Sequence, residues 1–237
     1  TMKVDPDRYP KIADGALKAR ELISERLGSD AELAGLMHPY DFEKYNNSAS
    51  VGANIIFGEP IGNDFKIEKL GENSFVRETL DKCGMTDEFQ EKGLYAAKTM
   101  ADMFCDISGD SPLFEKFSFV DEKSLQDLRA LTIKAEHTGL DALADEEKTT
   151  LINLTMQLVV ERHRLGVVDD EMKKNILRAR KVFRESMNGK HRKTIYFFDS
   201  DGFSGQITLR RNLLHGSVNA SRPNAEEVIN SIALEVL

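Results

Sequence analysis

The chain has 237 residues, of which 30% are charged and 41% are apolar or aromatic, and its formal net charge is -8 at pH 7. This composition is typical of a folded globular protein and argues against a disordered chain. The acidic balance gives no attraction to phosphate backbones or anionic lipid, so we expect neither nucleic acid nor a membrane surface as a partner. No apolar run is long enough to span a membrane and no signal-peptide pattern is present, which predicts a cytoplasmic protein. Two cysteines, Cys83 and Cys105, are too few for a disulfide scaffold and indicate buried apolar side chains in a reducing compartment.

Helical periodicity runs through most of the chain. The first stripe begins at Pro10 and ends at Gly28, and the clearest stripe runs from Asp169-Asp170 to Asn188-Gly189. The apolar positions on the predicted inner faces are Ile12, Ala16, Ile23, Leu27, Phe89, Ala96, Met100, Met103, Phe104, Leu125, Leu128, Leu131, Ala135, Leu151, Leu154, Leu158, Met172, Ile176, Ala179, Phe183, Met187, Val228, Ile229, Ile232 and Val236. These stripes predict a mainly α fold, an irregular bundle of about six to eight helices that forms a single domain over 1–237.

Two segments interrupt the helical pattern. Residues 39–72 are rich in Asn, Gly and Ser and contain two short β-like runs. Residues 194–209 contain two strand-like runs separated by a turn made of Asp, Gly and Ser, which predicts an antiparallel β-hairpin. We therefore expect a small β subdomain on the bundle, in which the two segments can pair with each other. We find no internal repeat in the sequence.

The run Asp199-Ser200-Asp201-Gly202, after an apolar strand-like run, resembles the first motif of haloacid-dehalogenase-like phosphatases. That resemblance implies a nucleophilic Asp199, an acid–base Asp201 and a magnesium ion. Such enzymes place most of their sheet after this strand, whereas here only a few dozen residues follow. The spacing also departs from a calcium loop, which needs Gly at its sixth position and Glu at its twelfth. We interpret the run as a hairpin turn, with Asp199 and Asp201 as weak candidates for a metal site.

Three further residues are weak candidates for catalysis. Glu136 and His137 lie together near the end of a predicted helix, but no pair of histidines has the spacing of a zinc site. Arg129 lies in a segment similar to the arginine-finger segment of bacterial Rho GTPase-activating domains, except that Gln126 replaces the glycine of that motif. The local pattern favours a plain helix with a solvated Arg129.

The sequence contains no complete catalytic constellation, and we expect no cofactor. Our main hypothesis is therefore a non-catalytic protein-interaction or regulatory module whose partner is another protein. Asn54, Phe57 and Phe203, which lie in the two non-helical segments, are the candidate binding residues. One alternative is a hydrolase or transferase with a site assembled near Asp199/Asp201 and Glu136/His137. A second alternative is a helical regulator of a small GTPase that acts through Arg129.

Overall fold

The computed structural model describes residues 2–104, 111, 114, 120–189 and 191–236, so Cys105 and Lys190 lie outside the described residues. The fold is mainly α with small antiparallel β pairings, as the sequence predicts. The described helices are α1 (Pro10–Ser29), α2 (Ala31–Ala34), α3 (Val51–Ile56), α4 (Ser74–Lys82), α5 (Thr86–Met103), α6 (Glu122–Thr138), α7 (Asp145–Gln157), α8 (Val160–His163), α9 (Asp170–Ser186), α10 (Leu209–Leu214) and α11 (Ala225–Val236). The strands are β1 (Met37–Pro39), β2 (Gly58–Pro60), β3 (Ile195–Phe197) and β4 (Gly216–Val218). Within the described part, no helix is long and apolar enough to cross a membrane.

The predicted stripes form the long helices. Pro10 opens α1 at a position where a missing N–H costs nothing, and the Asp169 side chain caps α9 by accepting the Met172 N–H at 2.8 Å. Two positions differ from the prediction, because Ile12 and Met103 are 44% and 49% exposed rather than on inner faces. Both lie in the first or last turn of their helix, where the surrounding bundle does not cover them.

The β strands pair differently from the predicted hairpin. β3 pairs with β2, so Ile195, Tyr196 and Phe197 lie opposite residues 58–60 of the earlier non-helical segment. The second strand-like run, 205–209, does not pair with β3. It leads instead into α10, whose first turn is capped by the Thr208 side chain. Long-range pairing between the two segments therefore replaces the local hairpin within 194–209.

Two hydrophobic clusters organise the molecule. The larger one contains α3 and α9 together with the helices between residues 74 and 157, and the smaller one contains α1, α10 and α11. Within the larger cluster α5 and α7 approach very closely at Gly93, where a Cβ atom would lie 2.1 Å from the Leu151 carbonyl oxygen. A third, small cluster of Met100, Phe104, Phe114 and Leu125 lies at α5 and α6, so the segment from α4 to α7 packs on the larger cluster and on this one.

Candidate functional site

Two segments of the chain follow the same backbone course. Residues 37–60 and 195–218 are related by a shift of 158 positions without a gap, and we call them the first and second repeat. Each runs through a strand, an eleven-residue loop (40–50 or 198–208), a short helix and a second strand. Each short helix ends in a left-handed residue, Phe57 at φ 46° and His215 at φ 43°. The chain therefore contains an internal structural repeat that our sequence analysis missed.

Three of the 24 aligned positions hold the same residue, and each has the same structural role in both repeats. An aspartate, Asp41 or Asp199, accepts the backbone N–H two residues later, at 2.9 Å and 3.0 Å. A glycine allows the facing strand to approach. A Cβ at Gly58 would lie 2.6 Å from the Tyr196 carbonyl oxygen, and one at Gly216 would lie 2.7 Å from the His38 carbonyl oxygen. These identities follow from backbone geometry.

The third shared residue is an asparagine that ties the loop to the short helix. The Oδ1 atom of Asn54 accepts the Asn46 N–H at 2.8 Å, and that of Asn212 accepts the Ser204 N–H at 2.9 Å. Each Nδ2 group donates to the carbonyl of the same loop residue, at 2.9 Å and 2.8 Å. Asn54 and Asn212 are 1% and 0% exposed. A buried amide with these partners fixes the loop, which gives both asparagines a structural role.

A buried arginine from a long helix holds each loop. Arg180 of α9 donates its Nε proton to the Asn54 carbonyl at 2.7 Å, and Arg20 of α1 donates to the Asn212 carbonyl at 2.7 Å. Their Nη groups donate to three loop carbonyls at equivalent positions in the two repeats, and Arg180 Nη2 also donates to Asn54 Oδ1 at 3.1 Å. These carbonyls belong to Asp41, Phe42 and Lys44 for Arg180, and to Asp199, Ser200 and Gly202 for Arg20. We call these two arrangements the arginine clamps.

The clamps are exchanged between the repeats. Helix α1 precedes the first repeat but its arginine holds the second, whereas α9 precedes the second repeat and holds the first. The strands are exchanged as well, because β1 pairs with β4 and β2 pairs with β3. Each two-stranded sheet thus contains one strand from each repeat. The arrangement has a pseudo-two-fold axis and resembles a dimer joined into one chain.

Four rings pack together at this axis. Tyr40 and Phe198 occupy equivalent positions and stack on each other, with centroids 3.8 Å apart and planes inclined by 5°. The equivalent pair Phe57 and His215 packs edge-on against them, with Phe57 5.4 Å from Phe198 and His215 5.5 Å from Tyr40. Burial lowers the pKa of His215 to about 4, so its ring is neutral at pH 7. Burial also lowers the pKa of Arg180 to about 10, which leaves its guanidinium charged.

Two cavities adjoin the rings. One of about 250 Å³ lies on the axis, because Tyr40 and Phe198 line it together with Arg211 and Glu59, which form an ion pair. The other is an open cleft of about 950 Å³ beside the axis. Five aromatic residues line it, together with charged and polar residues that include the predicted site residue Asp199. The lining residues are Phe42, Phe57, Tyr196, Phe197, Phe198, Lys181, Arg184, Arg192, Glu43, Glu185, Asp199 and Ser200. We call it the aromatic cleft.

The predicted binding residues lie in three different environments. Phe57 lines both the axial cavity and the aromatic cleft. Asn54 also lines the axial cavity, although its side chain is buried in the network that fixes the loop. Phe203 is partly buried and packs against the smaller hydrophobic cluster. Of the three, Phe57 is the one that the structure brings to the aromatic cleft.

The predicted metal candidates lie in the loop of the second repeat. Asp199 and Asp201 are exposed, and Asp199 accepts the Asp201 N–H in the turn described above. Asp41 makes the same turn in the first repeat, so turn geometry accounts for the aspartate in both. Within the described ranges, no group of three or more His, Cys, Asp or Glu side chains is placed to hold a metal ion.

The catalytic candidates lie on α6. Glu136 is exposed and forms an ion pair with Lys98, whose hydrogen bond and charge hold the pKa of Glu136 below its ordinary value. His137 is exposed in the last turn of the helix. Arg129 donates to the Phe104 carbonyl at 3.0 Å and so caps the carboxyl end of α5. No cavity, ion pair or hydrogen bond in the described part of the chain joins these residues to Asp199 or Asp201.

A sequence signal for the repeat does exist. Leu17-Lys18-Ala19-Arg20 in α1 matches Leu177-Arg178-Ala179-Arg180 in α9. Each of these helices precedes one of the two repeats. Comparison with protein families, with curated proteins and with solved structures gives no significant match.

Proposed function

We propose that the chain is a non-catalytic protein-interaction or regulatory module, and that the aromatic cleft is its docking surface. The observation that carries this proposal is the composition of the cleft. Four phenylalanines, a tyrosine and two arginines, Arg184 and Arg192, line it. Aromatic residues and arginine are the types that contribute most binding energy at protein interfaces.

Arg184 is the residue we assign to partner binding. Its guanidinium lies 5.2 Å from the Phe42 ring centroid and 4.8 Å from that of Phe197, so the two rings hold it in place while the residue stays exposed. In the described part of the chain, its side chain makes no ion pair. A guanidinium that is already oriented loses little conformational freedom when a partner binds.

The polar groups at the axis support a scaffold role in preference to catalysis. The two clamp arginines and the two shared asparagines are engaged by backbone groups of the loops, and Asp199 is engaged in a turn. These groups fix the shape of the cleft. The enzyme and the GTPase-regulator alternatives stay predictions, and no contact described above favours either one.

A matched pair of charge reversals tests the proposal. Purified chain is used as bait, recovered proteins are quantified by mass spectrometry, and the dissociation constant of a purified partner is measured by calorimetry. Arg184→Glu should weaken binding at least about tenfold, which corresponds to the loss of one oriented charged contact. The control Lys18→Glu reverses an exposed charge on α1, outside the cleft, and should leave binding within about twofold of the wild type.

The result that would contradict this proposal is equal affinity for the wild type and Arg184→Glu. A parallel assay with phosphomonoester, carboxylester and peptide substrates separates the enzyme alternative. Turnover that is lost in Asp199→Asn, together with no partner, would favour that alternative instead.

A further inference from the structure

A separate cavity of about 560 Å³ lies at the junction between α8 and the turn that follows β4. Three arginines, Arg162, Arg164 and Arg222, line it together with one carboxylate, Glu161. Its formal lining charge is therefore positive, in a chain whose net charge is -8. We propose that this cavity binds the phosphate group of a small phosphorylated ligand.

The one carboxylate in the cavity is hydrogen-bonded to two neighbouring side chains. The Glu161 side chain is 18% exposed, lies 2.9 Å from His38 Nε2 through its Oε1 atom, and accepts the Ser48 hydroxyl proton through its Oε2 atom. Both donors belong to the first repeat. Because three guanidiniums and one carboxylate line the cavity, the field that an incoming anion meets is positive.

Backbone contacts position the main chain of the two arginines that flank the cavity. Arg164 adopts a left-handed conformation at φ 51°, and its Nε donates to the Glu161 carbonyl at 3.3 Å. Arg222 ends a turn anchored by Asn219, whose Nδ2 donates to the Gly35 carbonyl at 2.8 Å. A left-handed arginine is an uncommon conformation that the surrounding contacts must impose.

Donors remain for a ligand at these fixed positions. Among the described residues, the Arg222 guanidinium has no hydrogen-bond or ion-pair partner, and Arg164 uses only Nε. Guanidinium forks match the oxygen atoms of a phosphate in pairs. The volume falls in the usual range of small-molecule sites, about 300–1,000 Å³. These features favour a small phosphomonoester over a large anionic polymer.

The test measures binding of inorganic phosphate and of glycerol 3-phosphate to the full chain by calorimetry, at constant ionic strength set with chloride. Glycerol is the matched uncharged probe. We expect saturable binding of both phosphate probes and none of glycerol. Arg164→Gln and Arg222→Gln should each weaken binding at least about tenfold, the equivalent of one charged hydrogen bond. Glu161→Gln should tighten binding severalfold, because it removes the one like charge.

Arg8→Gln, an exposed arginine outside the cavity, is the control and should bind as the wild type does. Equal affinity for all variants, or no saturable binding of either probe, would overturn the proposal. A second arm uses phosphatidylcholine vesicles that contain phosphatidic acid. Binding to these vesicles without binding of the free probes would overturn the assignment to a small ligand. The outcome does not depend on the aromatic cleft, so either proposal can fail alone.

Discussion

The two repeats make the same hydrogen bonds in different surroundings. In the first repeat the clamp arginine, Arg180, is 1% exposed and its guanidinium lies 4.5 Å from the Phe57 ring centroid, and its helix α9 contributes to the larger cluster. In the second repeat Arg20 is 8% exposed, and two of its acceptors are carbonyls of the exposed residues Asp199 and Ser200. The difference shows that the repeat conserves its backbone partners, whereas the packing around them has diverged.

The clamps provide the largest expected effect. Arg180→Met keeps the aliphatic packing but leaves the buried Asn54 carbonyl and three partly buried loop carbonyls without a donor, and it should lower the free energy of unfolding by about 4 kcal/mol. Arg20→Met should lower it by only about 2 kcal/mol, because water reaches the exposed loop and replaces some of the lost donors. Urea denaturation of the two variants measures both values.

The reverse order of these two losses in stability would contradict our interpretation of the difference between the repeats. A larger loss for Arg20→Met than for Arg180→Met would mean that the smaller cluster, and not the larger one, dominates the stability of the fold. Equal losses would mean that the contribution of a clamp to the free energy of unfolding comes from its hydrogen bonds alone and not from the surrounding aromatic rings.

Local patterns explain why the helices were predictable and the repeat was not. Apolar spacing in α9, from Met172 to Phe183, reports burial directly, so the prediction of that helix was confirmed. The repeat depends instead on backbone carbonyls as acceptors, and any residue supplies a carbonyl. Phe42 and Ser200 are equivalent acceptors with unrelated side chains, so residue identity carries no signal there.

The candidate site was less predictable still, since it forms only when distant segments meet. Tyr40 and Phe198 stand 158 positions apart, and each belongs to a segment with ordinary turn chemistry. The apolar run 195–197 predicts a strand but does not identify the strand that pairs with it. For this reason the hairpin prediction gave the wrong pairing. Arg20 and Arg180 lie within helical stripes as charged residues at buried positions, and that mismatch was the usable signal.

The equivalent pair Phe57 and His215 gives an intermediate effect that depends on pH. The pKa of His215 is about 4 in the folded chain and 6.5 in its ordinary state, so the unfolded chain binds the additional proton between these values. Stability from this residue is present above pH 6.5 and is lost as the pH falls toward 4. After a discount for solvent screening the loss is about 1 kcal/mol. His215→Phe should remove this part of the pH dependence, as measured by urea denaturation at pH 7.5 and 4.5.

The reciprocal variant, Phe57→His, gives a second test of this pH dependence. Phe57→His places a second imidazole at the equivalent left-handed position, which is 7% exposed, and should make the loss of stability on acidification steeper. The remaining buried histidine, His163, has a pKa lowered to about 4 by burial and contributes equally to every variant. If His215→Phe keeps the full pH dependence of the wild type, the axial position is not the source of it.

The smallest effect concerns the ion pair that breaks the symmetry of the axial cavity. Arg211 and Glu59 correspond to Ala53 and Ser217 in the other repeat, and their side chains are 49% and 28% exposed. Arg211→Ala and Glu59→Ser therefore make the two repeats alike at these positions. Each substitution should lower the free energy of unfolding by less than about 1 kcal/mol. A double-mutant cycle in urea should give a coupling energy near 0.5 kcal/mol. A coupling above about 2 kcal/mol would show that the axis is held by this one asymmetric contact, because the symmetric clamps and rings are unchanged in all four proteins.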